Sequence, residues 1–197
     1  MSTKPHCVNI PQVPKYLSFL IIILFICGCS SSKKIIVSDF LDATPVITGS
    51  VVDPSVFAKG GTLVLGSFKP GPGAAANDET DQLSMMMIKG VKDVLPGDDT
   101  HFTVKTDDLK DPDYFLEGYI ENYGREGHVS NLKLRRNQVY LSVDGDIWLR
   151  ETGEKVFLFQ TSIAIDLKTQ DPKTVAYQIG VAIAHFIGSQ HQTRFIV

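Results

Sequence analysis

The chain has 197 residues with 19 Lys and Arg against 22 Asp and Glu, a formal net charge of −3, and only three cysteines. A mildly acidic balance offers no overall electrostatic footprint for nucleic acid, whose binders carry a basic face. The length suits one compact domain, and three cysteines exclude a disulfide-dense scaffold.

The first element in chain order is an uncharged apolar run from Leu17 to Cys27, preceded by Lys4 and Lys15, with no acidic residue among the first 28 positions. It is too short to cross a bilayer core of ~30 Å as a helix, but it fits the apolar core of an export signal. Ile26-Cys27-Gly28-Cys29 resembles the bacterial lipobox. That resemblance implies cleavage between Gly28 and Cys29, with a diacylglycerol and an N-acyl chain on Cys29 and no other cofactor. Ser30 in place of an aspartate after the acylated cysteine resembles the pattern of lipoproteins sent to the outer membrane. Removing residues 1–28 discards Lys4, Lys15, Cys7 and Cys27, which makes the mature chain more acidic and leaves Cys29 as its one cysteine. The reading divides the chain into a signal peptide at 1–28, a lipidated cysteine and linker at 29–54, and one globular domain at 55–197. Within the linker, interrupted by Pro45, Gly49 and Pro54, there is room for a short first strand.

Thr62 to Phe68 is an apolar run between Gly60-Gly61 and Pro70-Gly71-Pro72-Gly73, which reads as a buried strand followed by a loop. Asn77, Asp78, Thr80 and Asp81 carry start signals for a helix. Leu83, Met87, Val91, Val94 and Leu95 give its buried stripe, and Pro96-Gly97 its stop. Gly90 offers a point of close packing. Phe102 and Val104 suggest a second short strand, with a turn over 107–112.

From Tyr114 the period becomes two. Tyr114, Leu116, Gly118 and Ile120 share one face, as do Val139, Leu141, Val143, Gly145, Ile147 and Leu149 on the next long strand. Glu151-Thr152-Gly153-Glu154 supplies a hairpin turn. Phe157, Phe159, Thr161, Ile163, Ile165 and Leu167 are then the inward set of the returning strand. Asp171 and Pro172 open a last helix that is apolar on nearly all sides from Val175 to Ile187, with Gly188 expected to end it. Its Ala176, Gly180 and Ala184 form a smooth stripe expected to approach the sheet. The tail, Phe195-Ile196-Val197, is a candidate edge strand. The predicted fold class is α/β of the α+β kind: a mixed, largely antiparallel sheet with a long β-hairpin, packed by two main helices.

Asp113-Tyr114-Phe115-Leu116-Glu117-Gly118, then Trp148 with Thr152-Gly153-Glu154, and the terminal Ala176-Tyr177-Gln178-Ile179-Gly180 helix carry a resemblance over residues 60–190. The chain resembles the envelope lipoproteins related to the curli-secretion channel subunit, the penicillin-binding-protein activator lipoprotein and the N-terminal domain of the Tol-system β-propeller protein. The resemblance implies a non-catalytic accessory role with an envelope protein as partner. The chain is too short for the extra membrane-spanning hairpins of the channel subunit and lacks the activator's Pro-rich tether.

Several features bear on chemistry. Gly71-Pro72-Gly73 stands where a phosphate cradle would, but no Lys-Ser/Thr follows and Pro72 lacks a donor. Asp144 and Asp146, two apart on one strand face, are the carboxylate pair an envelope hydrolase would use, with an unrecognised His as the alternative, but no nucleophile or His accompanies them in the sequence and a solvated face is the plainer reading. His185 and His191 lack the spacing of a zinc pair. Met85-Met86-Met87 fits core filling better than an adaptable surface. Lys133, Arg135 and Arg136 read as a solvated hairpin loop, with contact to anionic lipid or glycan as the functional alternative. The strongest candidate for a working surface is the outer sheet face bearing Tyr119, Tyr140, Trp148 and Arg150, where aromatics among charges suit protein recognition. A component of an oligomeric ring or secretion assembly is the third reading, and exposed sheet edges are its structural requirement.

Overall fold

The computed structural model describes residues 45–57, 59–96, 102–105, 112–125, 134 and 136–192. All of them fall in the unit Ile35–Val197. The elements in chain order are β1 (Thr48–Val51), α1 (Pro54–Phe57), β2 (Gly61–Gly73), α2 (Asp78–Val94), β3 (Phe102–Lys105), β4 (Tyr114–Gly124), β5 (Gln138–Leu149), β6 (Lys155–Asp166) and α3 (Pro172–Gln192). Six strands form one mixed sheet in the order β1-β6-β5-β4-β2-β3. β1, β6, β5 and β4 run antiparallel in sequence, whereas β4, β2 and β3 are parallel. The expected fold class is the observed one, and β1 is the short strand allowed for in the segment read as linker.

The meander follows its period of two. Tyr114, Leu116 and Ile120 on β4, Val139, Leu141, Val143 and Ile147 on β5, and Phe157, Phe159, Ile163 and Ile165 on β6 are all buried. Alternation breaks at the ends of the strands: Leu167, expected on the inward face, follows β6 in a turn and is half exposed.

At the middle of the sheet one rung runs Phe68, Gly118, Gly145, Phe159, Gly49 across β2, β4, β5, β6 and β1. The two phenylalanine rings lie over the two central glycines, 6.3 Å apart between centroids and edge to face. A Cβ on Gly118 would stand 2.5 Å from the Phe68 ring, and one on Gly145 2.3 Å from the Phe159 ring. The glycines thus make the space that the rings fill.

β2 is longer than expected, since Pro70 to Gly73 continue the strand. The physical reason lies in its neighbours. β3 pairs only with Gly61 to Val64, so beyond that point one side of β2 has no strand partner among the described residues. Pro70 and Pro72 share one parity and direct their missing donors to the same side, which a free edge tolerates. A shift of register between Leu65 and Phe68 interrupts the pairing with β4. There the Phe68 amide donates to the buried Ser84 hydroxyl of α2 at 2.9 Å. Ser84→Ala removes the acceptor and leaves a buried N–H, a loss of about 1–3 kcal/mol that a urea melt should show as a lower midpoint with unchanged slope.

Helix α2 begins as its sequence signals predict. The Asn77 side chain accepts from the amides of Glu79 and Thr80, while the Thr80 hydroxyl accepts from the Asn77 amide. Its buried face, Leu83, Met87 and Val91, is the expected stripe, with Leu95 just beyond. Asp171 receives the amide and hydroxyl of Thr174 at the start of α3, and these bonds hold its carboxyl below the usual range. Gly188 does not end α3, which continues to Gln192 with Gly188 buried inside it.

The small-residue stripe of α3 faces the other helix at its narrowest point. Gly180 and Gly90 cross so closely that a Cβ on Gly180 would lie 2.0 Å from the Met87 carbonyl oxygen. The expectation that the whole stripe meets the sheet is corrected here. Above the crossing, Lys89 pairs with Asp93 and stands 5.3 Å from the centre of the Tyr177 ring, whose hydroxyl donates to Asp93 at 3.2 Å. Both helices bury their apolar faces against one side of the sheet, in a single core with the inward strand residues.

Candidate functional site

With both helices on one side, the outward residues of β4, β5 and β6 form an open face. Register fixes its rows. Lys69, Tyr119, Asp144, Gln160 and Thr48 make one rung, while Glu117, Asp146, Leu158 and Ser50 make the next. Phe115 and Trp148 form a third, with ring planes stacked at 4.5 Å and 18°. The twist of the sheet turns its centre into a hollow of about 490 Å³ around Tyr119, Asp144, Gly145 and Leu158.

The hollow is carboxylate-rich. Asp146 is held by Lys155 at 2.6 Å, and Glu117 lies 3.8 Å from Lys69. Asp144 and Glu121 have no ion pair among the described residues. Burial pushes the Asp144 carboxyl above its ordinary value, and no neighbouring cation offsets it. Beside it Tyr119 is 49% exposed and Leu158 38% exposed, large apolar surfaces left to solvent within an acidic rim.

β2 keeps the adjoining surface low. A Cβ on Gly66 would lie 2.8 Å from the Glu117 side chain, and one on Gly71 3.1 Å from a Glu121 carboxylate oxygen. The two carboxylate side chains therefore lie across a strand stripped of side chains at those positions. At the far end of β4 the Tyr123 hydroxyl donates to Glu79 at 2.6 Å, joining the sheet to the start of α2. Burial and the Glu79 carboxylate push that phenol well above its ordinary value.

The sequence-predicted residues are partly brought together. Tyr119 is exposed at the hollow, Trp148 is half-buried against Phe115, and Tyr140 is half-buried further along the same face of β5. Arg150 falls one residue beyond β5, exposed in the turn, where its amide donates to the Asp113 carbonyl at 3.1 Å. Phe115, Leu158, Glu121 and Gln160 were not singled out in the sequence. Alternation alone would have marked Phe115 and Leu158 as outward apolar residues, but their neighbours depend on register. Gly28 and Cys29 lie outside the described residues, as do Phe195, Ile196, Val197 and most of the turn expected at 107–112.

Other chemical readings fare differently. Gly71-Pro72-Gly73 lies within β2, so it is no loop at a helix start. The carboxylate pair is broken up by Lys155, which neutralises Asp146. In the run Met85-Met86-Met87, Met87 is fully buried and Met85 is 67% exposed. Among the described residues no group of three His, Cys, Asp or Glu side chains is placed to hold a metal ion, and no helix is long and apolar enough to cross a membrane.

No protein-family model matches the chain, and no curated protein matches it by sequence. Solved structures similar to it are known. The chain is similar to PelC from Paraburkholderia phytofirmans, solved as a dodecamer, with a TM-score of 0.50 at 12% identity over 73% of this chain and 97% of that one. A second crystal form, of a point variant of that dodecamer, gives a TM-score of 0.49 at 11% identity with the same coverage. A protein from Caulobacter crescentus, described provisionally as a lipoprotein, gives 0.38 at 14% identity over 73% and 97% of the two chains. At such identities the likeness is one of fold.

Proposed function

We propose that this chain is a lipid-anchored protein of the bacterial envelope, held by acyl chains on Cys29 to the periplasmic face of the outer membrane. It acts as a non-catalytic assembly component that forms rings of its own copies. The observation that carries the reading is the one-sided sheet: two helices close one face, while the other presents Tyr119 and Leu158 to solvent inside an acidic hollow. A sheet face with exposed aromatic and aliphatic side chains within a polar rim has the anatomy of a protein interface. The fold likeness to a protein solved as a dodecamer supports self-assembly. The apolar run, its flanking lysines and Ile26-Cys27-Gly28-Cys29 support the anchor. Each buried methylene contributes ~0.8 kcal/mol, so several acyl chains make release negligible.

The role of Asp146 as an ion-pair partner argues against a hydrolase built on Asp144 and Asp146. In cells fed a radiolabelled or clickable palmitate, the wild-type chain should carry label and sediment with membranes, whereas Cys29→Ala should lose both. Unchanged mass and membrane partition in Cys29→Ala would remove the anchor from this reading. Native mass spectrometry of the detergent-solubilised wild type tests the ring, and a monomer at all concentrations would remove it.

A further inference from the structure

We infer that the hollow around Tyr119 and Asp144 receives the basic β4–β5 connection, residues 125–136, of a second copy of this chain, a head-to-tail contact that repeats around the proposed ring. The inference rests on the ring reading above and specifies its interface.

The acceptor side follows from the charges of the outer face. The lysines on its two central rungs, Lys69 and Lys155, are each beside a carboxylate of the same face. Among the described residues Asp144 and Glu121 are left over, and Asp144 is exposed, so the hollow carries negative charge that no described cation offsets and that a partner can reach. Tyr119 stands next to Asp144 with nearly half of its surface open. A phenol ring beside a carboxylate suits a guanidinium, which stacks on the ring while its N–H groups meet the carboxylate. An ammonium or guanidinium placed there would also supply the cation that Asp144 lacks.

The donor side is written in the sequence. Residues 125–136 contain Arg125, Lys133, Arg135 and Arg136 with Glu126 as their one acid. Arg136 is exposed at the entry to β5. The connection leaves β4 after Gly124 and enters β5 at Gln138, six residues before Asp144, roughly 20 Å along the strand. Arg136, at the described end of the donor, and Asp144 in the acceptor therefore lie at different places on the molecule. A contact between unlike patches is heterologous: every copy that gives its basic connection leaves its own hollow open for another, and such contacts close into rings or run on as filaments. Complementary charge also speeds encounter and fixes orientation.

Charge reversal in full-length, lipidated protein purified in detergent tests this. Asp144→Lys, Arg135→Glu with Arg136→Glu, and the chain carrying all three changes are compared by native mass spectrometry and light scattering. Circular dichroism of each variant checks that the fold is kept. Each reversal alone should weaken assembly at least tenfold, and the triple variant should recover most of it. Oligomers that persist in both single reversals would overturn the inference and leave the ring reading intact. Failure of the triple variant to recover would overturn the pairing of these two patches. A wild type that stays monomeric would overturn both readings. If that monomer loses thermal stability in each single reversal and regains it in the triple variant, the connection folds back onto its own hollow, which also overturns contact between copies.

Discussion

Gly180→Ala is expected to destabilise the protein by about 3 kcal/mol, although alanine is the better helix former by ~1 kcal/mol. The added carbon would fall 2.0 Å from the Met87 carbonyl oxygen, a backbone atom that no rotamer change can move aside. The helices must then part at their crossing, and the packing of Leu83, Met87 and Val91 against Ile179 and Ile183 loosens along its length. For a domain of this size such a loss lowers Tm by roughly 6–12 °C. Differential scanning calorimetry of the single variant is sufficient. A Tm equal to the wild type or higher would show that the two helices do not approach at this point. Gly90→Ala should behave alike, because a Cβ there meets the Tyr177 carbonyl oxygen at 2.3 Å.

Gly145→Ala is expected to cost about 2–3 kcal/mol, and the cause differs: the obstacle is mainly a side chain, the Phe159 ring at 2.3 Å. A smaller residue at 159 should then relieve part of the penalty. Phe159→Leu alone loses buried ring area and its edge contact with Phe68, a loss of about 1–2 kcal/mol. The double variant should cost about 1 kcal/mol less than the sum of the two single costs, the coupling expected of residues that share one space. Chemical denaturation of the four proteins in this cycle measures that coupling. Strict additivity would mean that the ring and the glycine are energetically independent.

The three long antiparallel strands were legible because one face is buried and the other wet, which writes a period of two into the residues from Tyr114 to Ile165. The start of α2 was legible because Asn77 and Thr80 satisfy each other's backbone groups locally. What escaped the sequence depends on neighbours distant in the chain. Pro70 and Pro72 mark a loop by local rules and are admitted to β2 where, among the described residues, no strand pairs with its outer side beyond Val64. Gly188 signals a helix end, yet burial of its turn carries α3 on to Gln192. Gly180 indicates a close approach without naming what approaches. The same holds for the hollow. Tyr119 and Trp148 could be assigned to an outward face from alternation, but the rung that places Tyr119 beside Asp144 and Gln160, and the ion pair between Asp146 and Lys155, arise from strand register. Arg150 shows the converse: one residue past the strand, alternation no longer governs where it stands.

The rung of phenylalanines and glycines couples the two sides of the sheet. Gly145 accommodates the Phe159 ring on the helix side and lies in the floor of the acidic hollow on the other. Contour and cohesion thus share the same few backbone atoms. Any substitution that reshapes the floor of the hollow at this row will be felt as lost stability, so variation in the character of the hollow is confined to its walls, at Tyr119, Asp144 and Leu158, where side chains can change without disturbing the interior.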